Sequence, residues 1–162
     1  MTLGLQVATW VLWALPALFL FAALTTPPPV SWVLTATFAF VVVSYVSVWL
    51  FWRPTRFEID AKTLRIVWPL QARAIDLSDV ERARVVTSNE FRKQYGYGMR
   101  IGAGGLWGGF GLLRTQTVTF SMWISRTDEL VIVDLRGARP LLVTPELPER
   151  FVQALGSSQR AP

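Results

Sequence analysis

Four basic residues, Arg92, Lys93, Arg100 and Arg114, bracket the most unusual stretch of this chain. Eight of its 11 glycines fall between Gly96 and Gly111, interleaved with Tyr95, Tyr97, Leu106, Trp107 and Phe110. Arginine grips phosphate through two parallel N–H donors, so such a group can hold an anionic ligand. Glycine lets another surface approach the backbone closely, and large aromatics can anchor a partner. Each feature also has a plainer reading. The glycines and aromatics can form a wide structural loop whose rings fill the core, and the cations can form a solvated rim. A nucleoside-phosphate loop is excluded, because no Gly-Lys-Ser/Thr follows and the glycine spacing does not make the dinucleotide fingerprint.

Catalysis has little to stand on. Asp76, Asp79 and Glu81 lie close together, but acidic residues at this spacing in strand and turn are usually solvated. The chain has no His and no Cys to complete a metal site or an activated nucleophile. We expect no catalytic residue, no metal and no cofactor. The net charge of +5 does not by itself point to nucleic acid, since topology accounts for it.

The elements that must position these residues follow from the charge distribution. All 27 charged side chains (16 Lys/Arg and 11 Asp/Glu) lie after residue 52. Hydrocarbon and water select opposite compositions, so the chain divides into a membrane part, 1–52, and a soluble part. Two apolar runs, about 3–24 and 30–52, each reach the ~20 residues that a spanning helix needs. Pro16 interrupts the first and predicts a kink. Thr25-Thr26-Pro27-Pro28-Pro29 joins them, so short a link that the helices form an antiparallel hairpin. Trp32, Trp49 and Trp52 fall at the run ends as interfacial anchors, followed at once by Arg53 and Arg56. The uncharged link and the basic segment after the second run place both termini in the cytoplasm, in a multi-pass protein of the cell (inner) membrane. The first run lacks a basic flank and is too long for a typical signal peptide.

Residues 53–156 make one domain, with a frayed tail at 157–162. Strand patterns cover Arg56–Ile59, Thr63–Trp68, Arg73–Leu77, Val80–Thr87, Thr117–Ser125, Leu130–Leu135 and Pro140–Val143. The fifth alternates cleanly, with Val118, Phe120, Met122 and Ile124 on one side. The period then changes to four at Leu147, Phe151 and Leu155, which predicts a helix that Pro145 and Pro148 start and Gly156 ends.

The segment Arg100 to Gly111 with its Gly-Leu-Trp-Gly-Gly-Phe-Gly core, the Thr117–Ser125 and Leu130–Leu135 strands, and Val143-Thr144-Pro145-Glu146 leading into Phe151 resemble the bacterial pleckstrin-homology domain family. The resemblance covers about residues 55–156. It implies a PH-like fold: about seven antiparallel strands in a bent sheet or open barrel, capped by a C-terminal helix and often attached to membrane helices. It supplies no catalytic or ligand-binding residue. Phosphate-binding PH domains use basic residues around an early hairpin loop, and here that loop offers only Lys62 and Arg65. The expected function is a membrane-anchored, non-catalytic interaction module that binds a protein partner or a second copy of itself. The alternative is a binder of anionic lipid headgroups. The candidate contact residues are Arg92, Lys93, Arg100, Trp107, Phe110 and Arg114.

Overall fold

The computed structural model describes residues 3–104 and 107–158, with side chains at all of these except 3, 4, 5 and 8. Gly105 and Leu106 of the glycine-rich segment, and residues 159–162 of the expected frayed tail, lie outside the described residues.

Apolar side chains without a charge build the first two helices, α1 (Leu3–Thr25) and α2 (Val30–Ser47). α1 remains helical through Pro16. A π-helical turn, Val48–Trp52, extends α2, and the Arg53 N–H closes it on the Val48 carbonyl. The helices pack as an antiparallel pair: the Tyr45 hydroxyl donates to the Leu12 carbonyl at 2.7 Å, and the Tyr45 and Trp13 rings meet edge to face. Among the described residues only Val30–Trp52 is long and apolar enough to cross a membrane, by length and composition. The apolar stretch that qualifies within α1, Thr9–Thr25, is shorter, so one full span stands where two were expected.

Nine strands follow among the described residues, not seven. The first three, β1 (Arg56–Ile59), β2 (Thr63–Val67) and β3 (Ala72–Asp76), form an antiparallel sheet. A 3₁₀ turn, Leu77–Asp79, leads to β4 (Val80–Thr87). The remaining strands are β5 (Met99–Gly104), β6 (Gly109–Arg114), β7 (Thr119–Ile124), β8 (Glu129–Leu135) and β9 (Leu141–Val143). Their order in the second sheet is β4-β8-β9-β7-β6-β5. The all-antiparallel expectation fails at one place. The β8–β9 hairpin inserts β9 between β8 and β7, and β9 then runs parallel to β7. Pro140 stands just before this inner strand, where its missing N–H breaks no ladder bond, and its carbonyl accepts from Ser121.

The glycine-rich segment is a hairpin and not a loop: β5 and β6 pair from Met99↔Arg114 to Gly104↔Gly109. A helix absent from the sequence reading, α3 (Ser88–Tyr95), precedes it. The last helix, α4 (Pro148–Ser158), starts at Pro148 as expected but runs through Gly156, so residues 157 and 158 are helical. Phe151 and Leu155 face the core, whereas Leu147 lies before the helix and is 55% exposed; buried Pro148 takes its place.

Two apolar clusters hold the domain together. One joins Leu64, Ile66 and Trp68 of the first sheet to Val131, Val133, Leu141 and Val143 of the second, closed by Phe151 and Leu155 of α4. The other packs Phe91 of α3 on Phe120, Met122, Ile124 and Ile132. The alternation read in β7 is therefore real, with Phe120, Met122 and Ile124 all buried.

Candidate functional site

Three attachments join the β-domain to the apolar helices. The last carbonyls of a helix have no partner within it. Here the Trp68 indole donates to the Trp52 carbonyl at 3.2 Å, and the Gln71 amide donates to the Phe51 carbonyl at 2.9 Å. The Trp52 ring lies on the paired glycines Gly102 and Gly111 of the hairpin. A methyl group added at Gly102 would stand 3.1 Å from Trp52 Cζ3, and one at Gly111 would stand 3.2 Å from it. Both glycines have φ above +120°, a region side-chain-bearing residues avoid. At the hairpin tip, Trp107 meets Trp13 of α1 edge to face, its backbone N–H donates to the Thr9 hydroxyl at 3.3 Å, and the Arg53 guanidinium lies over its ring.

The two aromatics differ in their surroundings. Phe110 is 2% exposed and lines the arginine cleft described below. Trp107 is half-buried and is spent on this chain's own helices. Trp32 and Trp49 are exposed near opposite ends of α2, and Trp52 is divided between solvent and the glycine pair.

The four bracketing cations do not form one cluster. Arg92 stacks on Tyr97. With Arg100, it lines a cavity of about 190 Å³ between α3 and the hairpin. Lys93 is exposed on α3, and Arg114 is exposed at the far end of β6. Of the acidic trio, Asp76 and Glu81 line one open cleft with Lys62 and Arg136, and Asp79 does not join them there. The Asp76 carboxylate accepts the Ser78 N–H, which holds its pKa below the usual value, and Glu81 approaches Arg136. Among the described residues no group of metal-ligating side chains converges.

A different set of arginines does converge. Arg53, Arg56, Arg126 and Arg150, with Glu146 the one acidic member, line a cleft of about 700 Å³ between the start of β1, the β7–β8 turn and the start of α4. Trp123, Thr144, Phe57 and Phe151 form part of its walls. Arg126 is fixed by a 2.6 Å hydrogen bond to the Pro145 carbonyl and lies 3.9 Å from Asp128. The Asp128 carboxyl is held below its ordinary pKa, chiefly by its own backbone N–H. Arg56 pairs with Glu58 at 2.5 Å. Arg53 and Arg150 make no ion pair among the described residues. Sequence reasoning identified Arg53 and Arg56 only as interface residues and missed Arg126 and Arg150. The four come from three segments that span almost a hundred positions of chain, and the packing of α4 against both sheets brings those segments together.

Beside this cleft runs an apolar groove of about 500 Å³, lined by Trp13, Pro16, Phe38, Val42, Tyr45, Val46, Trp49 and Trp107, with Arg53 as its only charged residue. Arg53 thus borders both spaces.

No curated protein and no solved structure matches the chain. The family model described as the bacterial PH domain matches residues 55–159, well over half of the chain and the whole of the β-domain. Together with the mainly β architecture closed by α4, that match establishes that the chain belongs to the bacterial PH domain family.

Proposed function

We propose that this protein is a membrane-anchored, non-catalytic interaction module in which α1 and α2 form a two-pass hairpin and the PH-like domain sits on the cytoplasmic face. One observation carries the reading: none of the apolar window of Val30–Trp52 is buried by the protein. A helix of 23 residues is about 35 Å long, enough to cross the ~30 Å of hydrocarbon. An apolar surface of this size exposed to water would be a severe liability, whereas lipid covers it at no cost. α1, antiparallel and bonded to it through Tyr45, shares that environment. The positive charges begin at Arg53, which supports the cytoplasmic orientation.

The chain has no Cys, so single cysteines report topology cleanly. In right-side-out vesicles an impermeant maleimide should label Thr26→Cys in the link and leave Thr2→Cys before α1 and Ala138→Cys in the β8–β9 turn unlabelled; in inverted vesicles the pattern should reverse. Labelling of Thr2→Cys, or of Ala138→Cys, from the same side as Thr26→Cys would sink the two-pass reading.

A second reading, docking of a protein partner or a second copy, is supported by the strand at the end of the larger sheet. Among the described residues β5 has no neighbour on one side, and the exposed apolar residues Tyr97 (78%), just before it, and Met99 (61%) and Ile101 (49%) on it cluster there. Such edges invite strand addition. Light scattering of the purified protein should then give a mass above one chain that Ile101→Lys reduces to one chain; a monomer in both forms would remove self-association.

A further inference from the structure

We propose that the arginine cleft and the adjoining groove form one composite site for an anionic phospholipid. The phosphate sits among Arg53, Arg56, Arg126 and Arg150, and one acyl chain lies in the groove against Trp13, Val42 and Trp107. This deepens the membrane-anchored reading and rests on it.

The chemistry of the two spaces is complementary to the two ends of such a lipid. The cleft is lined by four guanidinium groups against one carboxylate, Glu146. Glu58 and Asp128 offset part of that excess at Arg56 and Arg126. Arg53 and Arg150 have no carboxylate partner among the described residues, so they are the groups whose charge a ligand would balance. Arginine in this role binds phosphate in a two-pronged way. Arg126, tied down by the Pro145 carbonyl, is a preorganised wall. The groove offers the opposite chemistry, since among the described residues Arg53 is the only charged group on it. A soluble anion would leave the groove unused, and a hydrocarbon chain would leave the arginines unbalanced; a molecule carrying both uses each. Arg53 follows directly from the helix end, at the depth where headgroups meet acyl chains, and it borders both spaces. Both volumes fall in the range typical of ligand sites. The site is not at the early hairpin loop, for Lys62 and Arg65 line neither space.

The test titrates the full-length protein in mild detergent by native mass spectrometry. The probes are phosphatidylglycerol, phosphatidylcholine with the same acyl chains, and soluble glycerol 3-phosphate. The variants are Arg53→Gln, Arg150→Gln and the groove-filling Val42→Phe. Arg139→Gln, on the exposed β8–β9 turn, is the control, and a melting curve for each variant monitors folding. Losing one charge-assisted phosphate contact should weaken phosphatidylglycerol about tenfold. We expect that loss in both cleft variants, a comparable loss in Val42→Phe, no change in Arg139→Gln, and much weaker binding of phosphatidylcholine and glycerol 3-phosphate. Equal retention of phosphatidylcholine would overturn the role of the arginines. Glycerol 3-phosphate binding as tightly as the lipid, or a Val42→Phe variant with unchanged affinity, would overturn the role of the groove. If vesicle labelling shows a two-pass protein and the purified chain binds none of the three probes, this proposal fails while the anchoring stands.

Discussion

Thr87 and Glu90 start α3 by a reciprocal pair of bonds: the Glu90 N–H donates to the Thr87 hydroxyl oxygen, and the Glu90 carboxylate accepts the Thr87 N–H at 2.8 Å. That backbone donor, with the Thr87 hydroxyl second, holds the Glu90 pKa below the usual carboxylate value. Asp76 follows the same pattern, with the Ser78 N–H as first cause. A carboxyl group whose pKa is depressed in the fold stabilises it at pH values above the unfolded pKa, about 4. That contribution disappears as the pH falls through the lower folded value. Acidification below about pH 4 should therefore loosen the starts of α3 and of the 3₁₀ turn first. An NMR titration should place both carboxyl groups below the ordinary values of their residue types. Thr87→Ala removes the capping hydroxyl, and such losses typically cost about 1 kcal/mol. Its melting temperature should be lower than that of the parent at neutral pH and should fall less on acidification. Parallel pH profiles for the two proteins would show that the Thr87 hydroxyl contributes nothing to acid sensitivity and leave the backbone donor as its source.

At the scale of elements, the sequence showed most where one period dominated. The alternation through Phe120, Met122 and Ile124 marked a strand with one buried face, and all three are buried. Two elements were missed for opposite reasons. α3 carries a readable start, Thr87-Ser88-Asn89-Glu90, but its buried face amounts to Phe91 with Tyr95 beside it, too few apolar positions to register a helical period. The β5–β6 hairpin is hidden by its glycines, which are poor strand formers and are normally read as loop. Two of them, Gly102 and Gly111, sit where a side chain would strike the paired strand's backbone and crowd the Trp52 ring, a contact with a residue some fifty positions away that no local pattern encodes. Leu147 shows the reverse error. It fits the four-residue spacing of Phe151 and Leu155, yet the helix begins one residue later, at Pro148, and leaves it outside. The arginine cleft was illegible for the same reason as the Trp52 contact, since Arg126 and Arg150 come from segments far from Arg53 and Arg56.

At the scale of the whole molecule, the three attachments decide whether the domain swings on Arg53-Pro54-Thr55 or stands in one pose. Hydrogen bonds from Trp68 and Gln71 fix the helix end, Trp52 seats the hairpin, and Trp107 reaches past Arg53 to Trp13 and Thr9 of α1. The third contact has the longest lever arm, because it touches the helix that the domain does not follow in sequence. A single pose matters for the lipid site, since cleft and groove remain continuous only while Arg53 is held between them. Spin labels at Thr25→Cys, at the end of α1, and Ala138→Cys, on the far turn, measure that pose in the reconstituted protein. The parent should give one narrow distance distribution. Trp107→Ala should broaden it while leaving the melting of the β-domain nearly unchanged, because Trp107 belongs to neither core cluster. Gly111→Ala should broaden it further: its methyl group would strike the Ile101 carbonyl oxygen and crowd Trp52, at a position whose φ is +123°. That strain also falls on the β5–β6 ladder, so Gly111→Ala should lower the melting temperature where Trp107→Ala does not. A narrow distribution that survives Trp107→Ala would assign the pose to the Trp52 seat and the capped carbonyls alone, and would leave the hairpin tip no part in holding the domain to its helices.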